Sequence, residues 1–187
     1  MRGVWRGAWV VACTAACALG ICLGPAGCMT SVPPVLDRRE PYVDADYGPY
    51  RGDGTAEVSG RAVARARGGG YIYAAGDSVY LFPATPYTDE WWQRTMVEGS
   101  YLTPPDERSL RYMRTTVADD EGKFLFRSLP PGDYYVVCIV TWPDAEEGRP
   151  MQVANLGKRV KLGVSGKANA ALELISRHRA LVDPAPQ

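Results

Sequence analysis

Histidine is almost missing from this chain: its 187 residues hold one, His178, close to the C-terminal end. That scarcity argues against a zinc peptidase centre, which needs several histidine or carboxylate ligands around an open metal position. It also argues against serine or cysteine hydrolase chemistry, which needs a base beside the nucleophile. Cysteine is scarce where a framework would need it. Cys13, Cys17, Cys22 and Cys28 all precede the body of the protein and only Cys138 lies within it, so no disulfide network is possible there. Net charge is missing too, with 21 basic against 21 acidic residues. Removing residues 1–27 deletes Arg2 and Arg6 and no acid, leaving 19 against 21, a net of −2. A surface so balanced gives no reason to expect a nucleic-acid partner. After residue 27 no segment approaches the roughly 20 apolar residues of a membrane-spanning helix.

The N-terminus is where the apolar residues gather. Arg2 and Arg6 form a basic start, and residues 7–27 carry no charge and are rich in Ala, Val, Leu and Cys, the pattern of an export signal. The stretch ends Leu23-Gly24-Pro25-Ala26-Gly27-Cys28, and its small residues before a cysteine resemble the lipobox of bacterial lipoproteins. The resemblance implies a signal peptide over 1–27 and a Cys28 that is fatty-acylated (diacylglyceryl, then palmitate-like chains) and becomes the first residue. Pro25 stands where Leu is usual, and Cys22 is the alternative acceptor. An uncleaved anchor and ordinary secretion are the other two readings of the segment. Several acyl chains make a stable anchor where one is marginal, at about 0.8 kcal/mol per buried methylene. Residues 28–54 are rich in Pro, Gly and Asp with no apolar period, and are expected to be a disordered tether holding the body off the bilayer. The tripeptide Arg51-Gly52-Asp53 resembles an adhesion motif but is short enough to arise by chance.

The body carries 11 tyrosines in the whole chain's count, and 20 Gly with 15 Pro, a mix that favours strands joined by tight turns. Alternating or β-rich runs cover residues 56–66, 77–83, 112–118, 123–127, 134–142, 158–164 and 168–174. Seven such runs predict an all-β, seven-stranded antiparallel sandwich or barrel over 55–175, followed by a flexible tail at 176–187. Alternation assigns the core to Val79 and Leu81, Phe124 and Phe126, Tyr134, Val136 and Cys138, and Val160, Leu162 and Val164. The polar turn Asp119-Asp120-Glu121-Gly122 predicts a hairpin over 117–126. Residues 134–142 are apolar at nearly every position, as in a central strand covered on both faces. The 84–112 insertion is expected to contain one short helix capped by Thr88, followed by a Pro104-Pro105 loop.

The stretch from Val117 through Asp119-Asp120-Glu121-Gly122-Lys123-Phe124-Leu125-Phe126 to Leu129-Pro130-Pro131-Gly132-Asp133-Tyr134-Tyr135-Val136 resembles the carboxypeptidase regulatory-like domain. Val58-Ser59-Gly60 and Ala75-Gly76-Asp77-Ser78-Val79-Tyr80-Leu81 are similar to its first two strands. The resemblance spans about 55–175 and implies a transthyretin-like (prealbumin-like) β-sandwich. The helix-bearing insertion departs from that family's short pattern, so its role is not implied.

These features predict a non-catalytic, lipid-anchored cell-envelope protein with no cofactor, presenting a β-sandwich to an envelope protein or a glycan. The outer membrane is preferred because Met29 stands where an inner-membrane retention Asp would be. Trp91 and Trp92 are the recognition candidates, since exposed indoles stack on sugars or anchor partners; the alternative is that they pin the helix to the sheet. Cys138 on an apolar face is expected in the core. Asp119, Asp120 and Glu121 offer calcium-type oxygens but read equally as a solvated turn, so no metal is expected. An envelope hydrolase using Asp89, Glu90, Glu98 and Asp106 is the remaining reading of the insertion.

Overall fold

The computed structural model describes residues 34–66, 69–143 and 151–176. The signal segment, Cys22, Cys28 and His178, and with them the expectations placed on them, lie outside the described residues.

Among the described residues there are twelve strands, where seven were expected, arranged in four sheets, none of which closes into a barrel. The largest sheet has the order β12 (Glu173–Ser176), β10 (Gln152–Leu162), β9 (Gly132–Trp142), β5 (Ser78–Pro83) and β7 (Arg114–Val117). A second sheet has the order β11 (Lys167–Ala171), β2 (Ala56–Arg61) and β8 (Lys123–Leu129). Two small pairs complete the set: β1 (Val35–Leu36) with β6 (Tyr101–Leu102), and β3 (Val63–Arg65) with β4 (Tyr71–Tyr73). Each expected run contains a strand, but two of them divide. Residues 56–66 split at buried Ala62 into β2 and β3, and 168–174 split at buried Leu172 into β11 and β12, which join different sheets. The two- and three-residue strands have no period to read.

The two larger sheets contribute to one buried cluster. Val79, Leu81, Tyr134, Val136, Cys138, Leu156, Val160 and Leu162 come from the five-stranded sheet and Val58, Phe124, Phe126 and Leu129 from the three-stranded one. Strand pairing explains the selection, because Val79 lies opposite Cys138 and Leu81 opposite Val136, and residues directly opposite share a face. Val164 is the exception: at 80% exposed it is not core, because β10 ends at Leu162 and the chain then turns through Ser165, which has a positive φ.

The segment 117–126 is not a hairpin. β7 pairs with β5 and β8 pairs with β2, so the acidic turn carries the chain from one sheet to the other. The Ala118 N–H donates to Asp77 C=O at 3.0 Å, holding the end of β7 to the start of β5, while Ala62 N–H donates to Gly122 C=O at 2.8 Å on the other sheet. Pairing is not wholly antiparallel either, since β11 runs parallel to β2. No hairpin turn joins those two strands, so nothing constrains their relative direction.

Residues 34–54 are not a free tether. They contain β1 and a 3₁₀ helix over Asp44–Tyr50, and Tyr47 is fully buried. The Tyr47 ring packs on Tyr42 at 5.0 Å and on Tyr112 at 4.7 Å, and the Tyr50 hydroxyl donates to Asp133 C=O at 3.1 Å. Three tyrosines thus supply the apolar area that the Pro- and Gly-rich background hides.

The insertion does contain a helix, α1 (Pro86–Trp91), but its cap is Thr85 rather than Thr88. Thr85 is extended and precedes Pro86, whose ring fixes the first helical φ. Thr88 is the third helical residue and returns the bond: Thr85 N–H donates to Thr88 Oγ1 at 2.9 Å, and Thr88 N–H donates to Thr85 Oγ1 at 3.4 Å. One wider turn of π-helix, Trp92–Val97, follows, and a further short helix, α2 (Glu107–Leu110), precedes β7.

Candidate functional site

The insertion helix is two-faced, and its faces separate the functional candidates. Tyr87, Thr88 and Met96 are buried toward the protein, while Asp89, Glu90, Gln93, Arg94 and Glu98 border an open groove. Trp91 and Trp92 are both half-buried. Trp92 stacks on Tyr135 with ring centroids 4.4 Å apart and planes 17° apart. A Cβ on Gly157 of β10 would come within 2.8 Å of the Trp92 ring, so the indole occupies the space that glycine leaves open. Trp91 tilts against Phe82 at 5.1 Å, and Phe82 in turn lies 6.4 Å from Tyr80. The two tryptophans therefore hold the helix to the face of the five-stranded sheet opposite the core. Beneath them Tyr135 and Val137 are 4% and 2% exposed, which is why β9 is apolar on both faces. Trp91, Phe82 and Tyr80 form a row of half-buried rings.

The groove lies between the helix and the docked segment around residue 39. Its wider part is a cleft of about 420 Å³ bordered by Arg39, Glu40 and the helix residues just named, and a narrower part of about 270 Å³ continues toward Leu36 and Leu102. Its polar groups are held in place by one another. The Glu90 carboxylate accepts from the Arg39 N–H at 2.9 Å and the Glu40 N–H at 3.0 Å. Glu98 accepts from Gln93 Nε2 at 3.2 Å and Arg94 Nη1 at 3.0 Å, and these bonds keep its carboxyl below the ordinary range. Asp89 accepts from the Tyr135 hydroxyl at 2.8 Å; burial first and this carboxylate second push the Tyr135 pKa up to about 12.

Three of the four candidate acids of the insertion, Asp89, Glu90 and Glu98, thus meet at one groove, and the fourth does not. Asp106 caps α2 and pairs with Arg108 at 2.7 Å, whose hydrogen bonds hold its carboxyl down at about 2. The tip at Asp119 is closed on itself, with Asp119 Oδ1 accepting from the N–H groups of Glu121 and Lys123 and Glu121 paired to Lys123. Among the described residues no group of three or more His, Cys, Asp or Glu side chains is placed to hold a metal ion. Cys138 is fully buried, and burial, with a smaller contribution from Asp77, raises its thiol to about 12. Arg51 and Asp53 of the adhesion-like tripeptide are bound internally, to Asp44 and Arg114. Among the described residues no helix is long and apolar enough to cross a membrane.

Sequence reasoning missed the docked side of the groove. Arg38 sits 4.6 Å above the Tyr87 ring and Arg108 4.4 Å above Tyr42, so cation–π contacts and the tyrosine stack join residues 34–54 to the insertion. The readable signal was the spacing of Tyr42, Tyr47 and Tyr50 within a segment whose other large apolar residues, Val35, Leu36 and Val43, are exposed.

No family model and no curated protein matches the sequence. Among solved structures, the chain is similar to a candidate carbohydrate binding protein from Pseudomonas aeruginosa, with a TM-score of 0.62 and 20% identity over 70% of this chain and 96% of that one. At that identity the likeness is one of fold.

Proposed function

We propose that this protein is a non-catalytic, lipid-anchored module of the bacterial cell envelope that binds a glycan in the groove beside the insertion helix. The observation that carries the reading is the groove's lining of planar carboxylate, amide and guanidinium groups, of which Asp89, Glu90, Gln93, Arg94 and Glu98 are already oriented by hydrogen bonds. Such groups pair with adjacent sugar hydroxyls without first paying to become ordered. The half-buried row Trp91, Phe82 and Tyr80 supplies apolar faces of the kind on which sugar rings stack. The fold of the Pseudomonas aeruginosa protein supports the ligand class. Glu98, held ionised by its neighbours, is ill-suited to act as a general acid, which favours binding over hydrolysis. In this reading the two larger sheets are the layers of a transthyretin-like sandwich. Support comes from the stretch 117–136 that resembles the carboxypeptidase regulatory-like domain, which contains two of the places where the chain crosses between those sheets, β7 to β8 and β8 to β9.

The anchor is Cys28.

Glycan-array binding by the full-length chain in detergent, compared with Gln93→Ala and Trp91→Ala, tests the ligand. Binding lost in Gln93→Ala supports the groove, and an array without binders refutes the glycan reading. Acyl labelling of Cys28→Ser beside Cys22→Ser tests the anchor, and labelling that persists in Cys28→Ser overturns that assignment.

A further inference from the structure

Residues 34–40 are attached to the insertion without being packed into the protein. Six of the seven are exposed, Val35 at 60% and Leu36 at 36% among them, and Arg38 alone is partly covered. Burial therefore contributes little to this segment, and its docking rests on three polar attachments. β1 pairs with β6 over two residues, extended by Thr103 N–H donating to the Leu36 carbonyl at 2.9 Å. Arg38 donates through Nε to the Thr103 carbonyl at 3.0 Å and lays its guanidinium over Tyr87, but its Nη1 is buried with no hydrogen-bond partner among the described residues. An unpaired buried donor carries a desolvation cost, which offsets part of what those contacts contribute. The third attachment is the Glu90 carboxylate, which accepts from two consecutive backbone N–H groups, Arg39 at 2.9 Å and Glu40 at 3.0 Å. From Tyr42 onward the attachment differs in kind, because Tyr42 stacks on fully buried Tyr47 and the Tyr50 hydroxyl reaches the Asp133 carbonyl.

We infer that residues 34–40 form a strap that opens as a unit while the rest of the fold stays closed, with Glu90 as its latch. Segments with few buried apolar contacts and exposed hydrogen bonds are the ones that open locally at the lowest free energy. Glu90 is the latch because bonds to a carboxylate are stronger than those between neutral groups, and it makes them at the end of the strap next to the tyrosine stack. The narrow end of the groove takes Leu36, Asp37, Arg38 and Arg39 from the strap and its remaining walls from the insertion, so it exists only while the strap is docked. The wider cleft keeps Asp89, Gln93, Arg94 and Glu98 on the helix whether the strap is docked or not. A molecule that touches both sides of the narrow end holds the strap closed, and a closed strap strengthens its binding by the same factor. That consequence rests on the groove being a glycan site; the strap itself does not.

The two N–H groups that Glu90 holds belong to the peptide bonds Arg38–Arg39 and Arg39–Glu40, both of which trypsin cuts, so the latch can be read at those bonds. The test is amide hydrogen exchange and limited tryptic cleavage of the full-length chain in detergent, without ligand, followed at those two bonds by mass spectrometry. In the parent, the Arg39 and Glu40 amides should exchange faster than those of β9. Glu90→Ala should speed both their exchange and the cleavage by about tenfold or more, as expected for loss of hydrogen bonds to a charged group, with β9 protection unchanged. Glu90→Gln, which keeps one acceptor oxygen, should fall between the two. Arg39 and Glu40 amides that exchange only together with β9 would show that no separate strap exists. Rates unchanged in Glu90→Ala would show that Glu90 is not its latch, and β9 opening along with the strap in both Glu90 variants would make the segment part of the core. Each of these three results overturns the inference. A glycan array without binders would remove the glycan reading and leave the strap standing, because the strap is read in the free protein.

Discussion

Replacing Trp92 by Ala separates a structural prop from a ligand platform. The indole is half-buried, stacked on Tyr135 at 4.4 Å and seated over Gly157, so its loss opens a gap between the insertion helix and the sheet. An indole buries on the order of 150–250 Å² when fully covered, so half of that, at about 25 cal/mol per Å², is roughly 2–3 kcal/mol. The stacked aromatic pair contributes about 0.5–1.5 kcal/mol more. The sum, about 3–4 kcal/mol, sits near the lower part of the range for a fully buried Trp→Ala change. Urea unfolding followed by tyrosine fluorescence would read it as a lower midpoint at constant slope. Trp91→Ala should cost less, because its contact with Phe82 is tilted rather than stacked. A Trp92→Ala chain that unfolds within about 0.5 kcal/mol of the parent, a change typical of surface sites, would refute the packing argument and return the residue to the ligand candidates.

Gly122 has a φ of 74°, and a Cβ there would meet the Ala62 carbonyl oxygen at 2.4 Å, so Gly122→Ala should destabilise by about 1–3 kcal/mol in thermal unfolding. Leu81, fully buried opposite Val136, should cost about 2–5 kcal/mol when changed to Ala, measured by the same urea assay. Cys138 should resist a thiol reagent at neutral pH until the protein is unfolded, since burial raises its thiol to about 12; labelling at the rate of a free thiol would contradict its place in the core. Alkaline stability should follow the tyrosines. Tyr135 is raised to about 12 and Tyr134 is raised too, both mainly by burial, so above about pH 10 the unfolded chain ionises first and stability falls as the pH rises toward 12. Tyr135→Phe should flatten that fall, seen as a smaller loss of urea midpoint between neutral and alkaline buffer.

Much of the β architecture is legible from alternation, because a period of two is a local property that each strand carries by itself. Phe124, Phe126, Val136 and Leu162 announce their buried face without knowledge of their neighbours. The short helix is legible too, since Thr85-Pro86 and Thr88 are local signals, although the cap falls three residues earlier than the acids suggest. Pairing is different. The acidic turn at 119–122 looks like a hairpin because its residues suit a tight reversal, but whether two strands that reverse also pair depends on which other edges compete for them. Here β5 took one and β2 the other. Val164 likewise continues the alternation past the point where β10 stops pairing.

The groove was half visible. Asp89, Glu90 and Glu98 were candidates from their charges, but Arg38 and Arg39 lie some fifty residues away in a segment whose composition suggests disorder. Sequence by itself determined the strand-rich body, its inward faces, the export-like start and the poverty of histidine that narrows the chemistry. Tertiary structure alone decided that residues 34–54 dock on the insertion and that a crossing replaces a hairpin. It also decided that two tryptophans face the sheet while the acids beside them face a groove. The physical reason is that alternation and capping are settled among neighbours in the chain, whereas the stacking of tyrosines and the pairing of a carboxylate with distant amides are settled only when remote segments compete for the same surface.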